Sequence, residues 1–299
     1  MESNDFSLFM RSLSKVELRR CRPLLGTYVE IAATGADRSR LEQAVENAFA
    51  AIAEVHRLMS YHDPASDVCR LNREGFPKGV VVHPWTWHVL KSAQEFNRES
   101  RDAFDITVAP LLTKQNHLPD LGYEVDHRAG AQDIFLKENC LVFFRRRLAI
   151  DLGGIAKGFA VDRAIEALRE GGVSTAIVNA GGDLRVCGTT RFQIHLRHPQ
   201  TGNHSGGVVL LRDRALATSA TYFSRGPSSG GASALFDGIS RRPCREEVSV
   251  SVAANDCLTA DALTKIVLAL REKAAPILQR HGADAVLLER DLTVRRIPD

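Results

Sequence analysis

The spacing of apolar residues along the chain predicts several helices. In the segment 37–59, apolar side chains recur at steps of three and four residues, which places them on one face of a helix. Asp37 or Ser39 can cap its start, because both side chains accept hydrogen bonds from backbone N–H groups. The same pattern predicts helices over 85–98, 157–170, 256–270 and 272–281, and a short helix that begins near Pro110.

Alternation of apolar and polar residues predicts the strands. It is clear over 28–33, and segments of strand character follow at 133–136, 140–145, 148–152, 176–179, 191–198, 207–212, 248–253, 284–288 and 292–296. The segments 60–72, 113–132 and 226–233 are polar or rich in Gly, Pro and Ser, which is typical of loops. Runs of strands with helices between them indicate an α+β fold, with mixed and antiparallel sheets covered by helices.

Composition and charge exclude some classes of protein. The net charge of +3 over 299 residues is small, so no nucleic-acid partner is expected. No segment has the apolar length of a transmembrane helix, so no integral membrane segment is expected. The six cysteines have no metal-binding spacing, and we expect reduced, mostly buried thiols.

The first residues are polar and carry several charges. Their longest apolar run is Leu8-Phe9-Met10, which is too short for the core of a signal peptide. We therefore expect a flexible extension over 1–20, a single domain over 21–299 and a cytoplasmic location.

The segment 150–162 is the most informative one in the chain. It reads as the end of a buried strand, a turn with Gly153 and Gly154, and a helix start that includes Lys157 and Gly158. Glycines allow close approach of the backbone to a ligand, and a helix start offers N–H groups to an anion. One interpretation is a site for a phosphate-bearing ligand, and the other is a tight turn without a ligand.

Four shorter motifs have the same ambiguity. They are Arg22-Pro23-Leu24-Leu25-Gly26-Thr27, Met59-Ser60-Tyr61, Ala103-Phe104-Asp105 and Thr259-Ala260-Asp261-Ala262-Leu263-Thr264-Lys265. Asp105 interrupts an apolar run, and a buried acid requires a partner or hydrogen bonds. Asp261 and Lys265 are four residues apart and share a helix face. Taken singly, each motif is better explained by a turn, a cap or a core residue.

Taken together and in this order, the motifs resemble the FAD:protein FMN transferase family, also called the ApbE family. The resemblance runs from about Arg22 to about Leu270. Its further pieces are Val178-Asn179-Ala180-Gly181-Gly182-Asp183 and Ala217-Thr218-Ser219. It implies a T-fold-like architecture and an enzyme that binds FAD in a cleft. With Mg²⁺, such an enzyme passes the FMN half of FAD to a threonine of an acceptor flavoprotein.

The resemblance also implies roles for individual residues. Asp261 and Lys265 fall at catalytic positions, and the expected contacts to FAD come from Leu25, Tyr61, Ala103, Phe104, Asp105, Gly153, Phe159 and Leu235. The family's metal ligands correspond to the carbonyl of Ala156, the carboxylate of Asp261 and a threonine at position 265. Here that last residue is a lysine, which cannot ligate a metal as a cation, so Thr264 is the alternative oxygen donor.

A second departure lies at 234–238. The family usually has a His-Ile-Ile-Asp-Pro-like segment there, and this chain has Ala234-Leu235-Phe236-Asp237-Gly238, without the imidazole. Three functions therefore stay open. They are FMN transfer to a protein threonine, FAD binding without transfer, and hydrolysis of FAD to FMN and AMP.

Overall fold

The computed structural model describes residues 16–120, 122–197, 205–221, 233–244, 247–291 and 293–298. Its helices are α1 (Arg38–Met59), α2 (Asp67–Glu74), α3 (Pro84–Glu99), α4 (Ala109–Lys114), α5 (Ala156–Glu170), α6 (Cys257–Leu270) and α7 (Ala275–Arg280). No helix within these residues is long and apolar enough to cross a membrane.

The strands are β1 (Val16–Leu24), β2 (Thr27–Gly35), β3 (Val80–Val81), β4 (Ile134–Leu136), β5 (Leu141–Phe144), β6 (Thr175–Ala180), β7 (Asp183–Cys187), β8 (Phe192–Arg197), β9 (Ser205–Leu211), β10 (Ala215–Ala220), β11 (Phe236–Asp237), β12 (Arg242–Pro243), β13 (Val248–Ala254), β14 (Asp284–Glu289) and β15 (Val294–Ile297). The main sheet has the order β1-β2-β6-β7-β10-β13-β14-β15. Its described strand pairs are all antiparallel. The predicted α+β class is confirmed.

The two faces of the main sheet have different covers. The helices α1, α5 and α6 pack on one face and enclose the larger core, which includes Phe49, Ile165 and Val267. The β8–β9 hairpin covers part of the other face, where Leu196 and Leu211 pack on the sheet. Because side chains alternate along a strand, β7 directs Leu184 and Val186 towards the hairpin and Asp183 towards the helices.

The predicted elements differ from the structure at three places. Residues 16–20 belong to β1, so they are not part of a loose extension, and residues 1–15 lie outside the described part. The segment 60–72, predicted to be irregular, contains the start of α2. The apolar residues of the segment 148–152 are buried, but the segment pairs with no strand, so the predicted strand there is wrong.

Two other expectations have a mixed outcome. All six cysteines are free, as expected, but only Cys187 and Cys257 are buried, so the expectation of mostly buried thiols is wrong. Of the predicted flexible stretch 226–233, only Ser233 lies within the described residues.

Candidate functional site

A single cavity collects most of the residues singled out from the sequence. It encloses about 670 Å³ and lies where the β1–β2 turn, the end of α1, the segment 103–108 and the start of α5 meet. The predicted residues on its wall are Leu25, Tyr61, Ala103, Phe104, Asp105, Gly153, Ala156, Leu235 and Lys265. Motifs that are far apart in sequence therefore form one continuous wall, and the volume is in the range of small-molecule sites.

The turn between β1 and β2 forms one edge of the cavity. Leu25 and Gly26 both have positive φ, at 56° and 70°, and this is the geometry of a tight two-residue hairpin. Glycine adopts it without cost, whereas leucine is strained there. The Leu25 N–H donates to Nδ1 of His56 at 3.3 Å, which ties the turn to α1. The turn thereby fixes the position of Leu25 on the wall.

The end of α1 places Tyr61 on the cavity wall. The helix ends at Met59, and the Ser60 N–H closes its last turn by donating to the His56 carbonyl at 2.9 Å. The hydroxyl of Tyr61 is buried and makes no hydrogen bond of ordinary geometry among the described residues, although the nearby Thr113 side chain partly offsets the effect of burial on its pKa. Burial raises the pKa of this phenol. A buried hydroxyl on a cavity wall without a partner is suited to bind a polar ligand atom.

Asp105 has partners within the protein. Its carboxylate accepts the Thr107 N–H at 2.8 Å, which caps a short 3₁₀ helix, and it accepts Nη1 of Arg241 at 2.8 Å. Arg241 also donates to the Thr107 carbonyl at 3.1 Å. The interpretation of Asp105 as a local cap therefore describes the structure, and Arg241 is a partner that the sequence did not indicate.

The glycine turn at 153–158 has fewer free donors than the sequence predicted. The Gly153 N–H donates to Oδ2 of Asp151 at 3.0 Å, and the Gly158 N–H donates to Oδ2 of Asp261 at 3.1 Å. The anion at the start of α5 is thus a carboxylate of α6. A side chain at Gly158 would place its Cβ 2.2 Å from the Cys257 carbonyl oxygen. This glycine permits close packing of two helices, not the approach of a ligand to the backbone.

Two buried lysine–aspartate pairs lie at the charged end of the cavity. Lys265 contacts Oδ1 of Asp261 on α6, and Lys157 at the start of α5 contacts Oδ2 of Asp183 on β7. Both carboxylates are nearly inaccessible, at 0% exposure for Asp261 and 1% for Asp183, whereas both lysines line the cavity. Each aspartate therefore fixes a cation at the wall.

The pairs and the burial around them shift several pKa values. Burial lowers the pKa of Lys157, but the charges of Asp183 and Asp261 outweigh it and raise that pKa above its ordinary value. Burial and the nearby Asp261 raise the pKa of Asp183. Burial also raises the pKa of Asp151, whose carboxyl lies on the same wall. Lys157 therefore stays charged at neutral pH, and both lysines present N–H donors to an anion in the cavity.

The donors around Asp261 do not fit a magnesium ion. Both carboxylate oxygens are engaged, one by Lys265 and one by the Gly158 N–H. A divalent cation on Oδ1 would lie about 4 Å from the ammonium, where the two would repel by about 8 kcal/mol at an effective dielectric constant of about 20. Thr264 donates to the Asp261 carbonyl at 2.7 Å and lies 2.7 Å from Oγ of Ser219, fully buried. The described residues hold no cluster of three acidic, histidine or cysteine side chains for a metal.

Comparison with known proteins identifies the family of this chain. The sequence model of the ApbE family matches residues 25–287. The chain belongs to the ApbE family.

Curated relatives and solved structures agree with this assignment. A FAD:protein FMN transferase of Vibrio cholerae is 28% identical over 79% of this chain and 76% of its own length. A FAD:protein FMN transferase of Klebsiella pneumoniae is 25% identical over 84% of this chain and 83% of its own length.

Solved structures show the same fold. The ApbE protein of Thermotoga maritima superimposes with a TM-score of 0.83 at 24% identity, over 95% of this chain and 97% of that one. The flavin transferase ApbE of Vibrio cholerae gives a TM-score of 0.78 at 23% identity, over 94% of this chain and 96% of that one.

Three predicted residues of this ApbE protein do not line the cavity. Phe159 is buried and packs edge-on against Trp85, with ring centroids 6.0 Å apart. Asp261 and Thr264 are fully buried behind the wall, where Asp261 contacts the wall residue Lys265 and Thr264 contacts the wall residue Ser219. These three residues, predicted to contact FAD or a metal, therefore do not lie on the surface of the cavity.

Two residues of the site in this ApbE protein have no role predicted from the sequence: His117 on the cavity wall, and Asp183, which contacts the wall residue Lys157. His117 was placed in a surface loop, yet it lines the cavity and its Nε2 is buried without a partner among the described residues. No periodicity signals such a residue. Asp183 did have a signal, because it is the last residue of the 178–183 motif that contributes to the family resemblance.

Proposed function

We propose that this protein transfers FMN from FAD to a threonine hydroxyl of an acceptor flavoprotein. One observation carries the proposal: widely separated motifs converge on a cavity whose wall is apolar in one part and presents the side chains of Lys157 and Lys265 in another. Flavin and adenine rings need apolar contact, and the pyrophosphate between them needs cations or N–H donors. The names of the related transferases support the same substrate.

The wall residues account for recognition of FAD in this proposal. Leu25, Phe104 and Leu235 offer apolar contacts to the rings. The buried hydroxyl of Tyr61 and Nε2 of His117 are each available to a polar atom of a ligand, because neither has a partner among the described residues. Lys265 and Lys157 lie on the same wall and supply positive charge for the pyrophosphate.

The proposed reaction is a displacement at the phosphorus of the FMN half. The acceptor oxygen forms a bond to that phosphorus, and the bond from the phosphorus to the bridging oxygen breaks. AMP leaves with the bridging oxygen and its electron pair, and the hydroxyl proton is released to solvent. Fixed cations near the pyrophosphate stabilise the charge that develops on the leaving phosphate.

Mg²⁺ is the cation that the family resemblance implies for this step. The engaged oxygens of Asp261 and the buried hydroxyl of Thr264 argue against a magnesium site built from them. We therefore assign the stabilising charge to the lysines of the chain. The free cysteines support the proposal that the protein acts in the reducing cytoplasm.

Product analysis tests the proposal. Purified protein is incubated with FAD and an acceptor domain that carries a target threonine, both with and without Mg²⁺, and the acceptor is examined by intact mass and flavin fluorescence. A mass gain of one FMN residue, with stoichiometric AMP, is the expected result. The same acceptor with its threonine changed to valine is the control and stays unlabelled. Free FMN with AMP indicates hydrolysis instead, and intact bound FAD indicates binding alone. Either result overturns the transfer.

A further inference from the structure

Lys265 occupies the position that a cation beside Asp261 would need. Its Nζ contacts Oδ1 of Asp261 and lies 3.1 Å from the Asp261 backbone carbonyl. Its side chain is only 13% exposed, so the ammonium is held within the wall and does not extend into solvent. The Lys265 ammonium thus contacts two oxygens of Asp261, the kind of ligand that a metal cation would bind.

The ammonium still has a donor for a ligand. A lysine has three N–H groups, and Asp261 engages two of them. No described residue accepts the third, and Lys265 lines the cavity beside Gly154. A Cβ built on Gly154 would lie 3.6 Å from Cε of Lys265, so the absence of a side chain there leaves the lysine accessible from the turn. The third N–H is therefore available to an anion in the cavity.

A second cation reinforces the first. Lys157 lines the same cavity and is held by Asp183 of β7, and the charges of Asp183, Asp261, Lys157 and Lys265 influence one another. Two lysines and two aspartates sum to zero charge before a ligand enters. A divalent cation bound to Asp261 would add two positive charges to a cluster that is already balanced.

We propose that Lys265 takes the place of a protein-bound divalent cation, so that this chain binds and cleaves the FAD pyrophosphate without a metal ion at Asp261. The cleavage of FAD in this inference rests on the proposed function. The replacement of a metal ion by the ammonium rests on the contact between Lys265 and Asp261. In the displacement described above, the Lys265 ammonium contacts a non-bridging pyrophosphate oxygen and stabilises the negative charge that moves onto AMP. The lysine keeps its proton throughout.

Manganese binding tests the site without relying on activity. Mn²⁺ is titrated into the metal-free protein and followed by electron paramagnetic resonance, in the wild type and in Lys265→Thr. The wild type is expected to show no saturable site. Lys265→Thr removes the ammonium and adds a hydroxyl oxygen one turn from Asp261, so it is expected to bind a single Mn²⁺ ion. The double variant Lys265→Thr/Asp261→Asn is the matched control and loses that ion.

A wild-type protein that binds one Mn²⁺ ion, lost in Asp261→Asn, would overturn the proposal. It would equally be overturned if Lys265→Thr bound no more Mn²⁺ than the wild type. Activity gives a second test, because FMN and AMP formation by the wild type is expected to persist in EDTA. In EDTA, Lys265→Thr should form FMN and AMP about tenfold or more slowly than the wild type, and added Mg²⁺ should restore its rate. Lys265→Arg keeps a cation at this position and should retain activity in EDTA.

The two proposals can fail separately. If no variant labels the acceptor or releases AMP, with or without Mg²⁺, the proposed function is wrong. The Mn²⁺ titration still decides whether Lys265 occupies a cation position. If the wild type labels the acceptor only with Mg²⁺, the proposed function holds and the inference about Lys265 is wrong.

Discussion

At the scale of single residues, the Tyr61 hydroxyl distinguishes a ligand site from a structural one. It is buried without a partner among the described residues, so the unliganded protein carries the cost of its desolvation. We predict that Tyr61→Phe stabilises the free protein by about 1 kcal/mol and weakens FAD binding by about tenfold. Denaturation in urea and flavin fluorescence titration measure the two effects.

Tyr123 is the matched control for this prediction. Its hydroxyl donates to the Asn72 carbonyl at 2.6 Å, so Tyr123→Phe removes a made hydrogen bond and should destabilise the protein by about 1 kcal/mol. FAD affinity should not change, because Tyr123 does not line the cavity. If Tyr61→Phe lost stability as Tyr123→Phe does and kept its FAD affinity, Tyr61 would be structural.

Asp151 gives a pH prediction. Burial raises the pKa of its carboxyl, so the native protein holds that proton more tightly than the unfolded chain does. The charged carboxylate therefore costs stability, and this cost grows as the pH rises from the unfolded pKa through the raised folded pKa. Asp151→Asn should show a stability advantage over the wild type that increases from acid to neutral pH in urea denaturation.

Asp126 should behave in the opposite way. The Arg128 N–H and the Arg146 side chain lower its pKa, so the carboxylate favours the native state above the unfolded pKa. That stability is lost as the pH falls through the folded pKa, and Asp126→Asn removes it. For Asp151, a stability advantage of Asp151→Asn that does not change with pH would show that burial does not raise the pKa of the Asp151 carboxyl.

Local spacing predicted part of the site at this scale. Asp261 and Lys265 share a helix face because they are four residues apart, and the structure joins them. Asp105 was predicted to cap a turn or to bind a ligand, and it caps a 3₁₀ helix. The pairs Lys157–Asp183 and Asp105–Arg241 join residues 26 and 136 positions apart, so only the fold brings them together.

At the scale of elements, apolar periodicity located the long helices, and tertiary contacts decided the short elements. The helix α2 has only eight residues, and Asp67 ties its start to the His83 N–H at 2.8 Å and to Thr86 at 2.8 Å. A pattern of apolar residues cannot reveal a helix that depends on such contacts.

The segment 148–152 has the composition of a strand for a related reason. Its backbone at Ile150 is satisfied by the amide of Asn72, which accepts the N–H at 2.9 Å and donates to the carbonyl at 3.0 Å. A side chain thus replaces the neighbouring strand. Buried backbone groups need a partner, but the partner can be a side chain, so an apolar run alone overpredicts strands here.

The helices α5 and α6 cap each other. Asp261 of α6 accepts the Gly158 N–H of α5, and Asp162 of α5 accepts the N–H groups of Cys257 and Leu258 at 2.9 and 2.8 Å. This reciprocal arrangement requires the two helix starts to lie close together. It is what fixes Lys157 and Lys265 on one wall of the cavity.

Gly158→Ala tests the close packing of these helices. Its Cβ would lie 2.2 Å from the Cys257 carbonyl oxygen, so α5 and α6 must separate to admit it. We predict a loss of about 1–3 kcal/mol in the free energy of unfolding, and weaker FAD binding because the lysines move with the helices. Glu170→Ala, at the exposed end of α5, is the control and should change stability by less than about 0.5 kcal/mol. A fully stable Gly158→Ala protein would contradict the packing argument.

At the scale of the whole molecule, the α+β class followed from the order of helices and strands, but the arrangement of the sheet did not. The antiparallel order β2-β6-β7-β10-β13 joins strands that are distant in sequence and carries Asp183 to the helix-covered face. The order of the motifs indicated the family, and the fold shows why they occur together, since most of them line one cavity, and Asp183 and Asp261 hold the lysines of its wall.

The proposed contact between the FAD pyrophosphate and Lys265 is tested most directly by ligand affinities measured in EDTA. Dissociation constants for FAD and riboflavin are compared in the wild type, in Lys265→Met and in Lys78→Met, an exposed-lysine control. We predict that Lys265→Met weakens FAD binding by about tenfold or more, because the pyrophosphate loses a hydrogen bond to a charged donor. Riboflavin has no pyrophosphate, so its affinity should not change. Unchanged FAD affinity, or equal weakening of both ligands, would contradict the account.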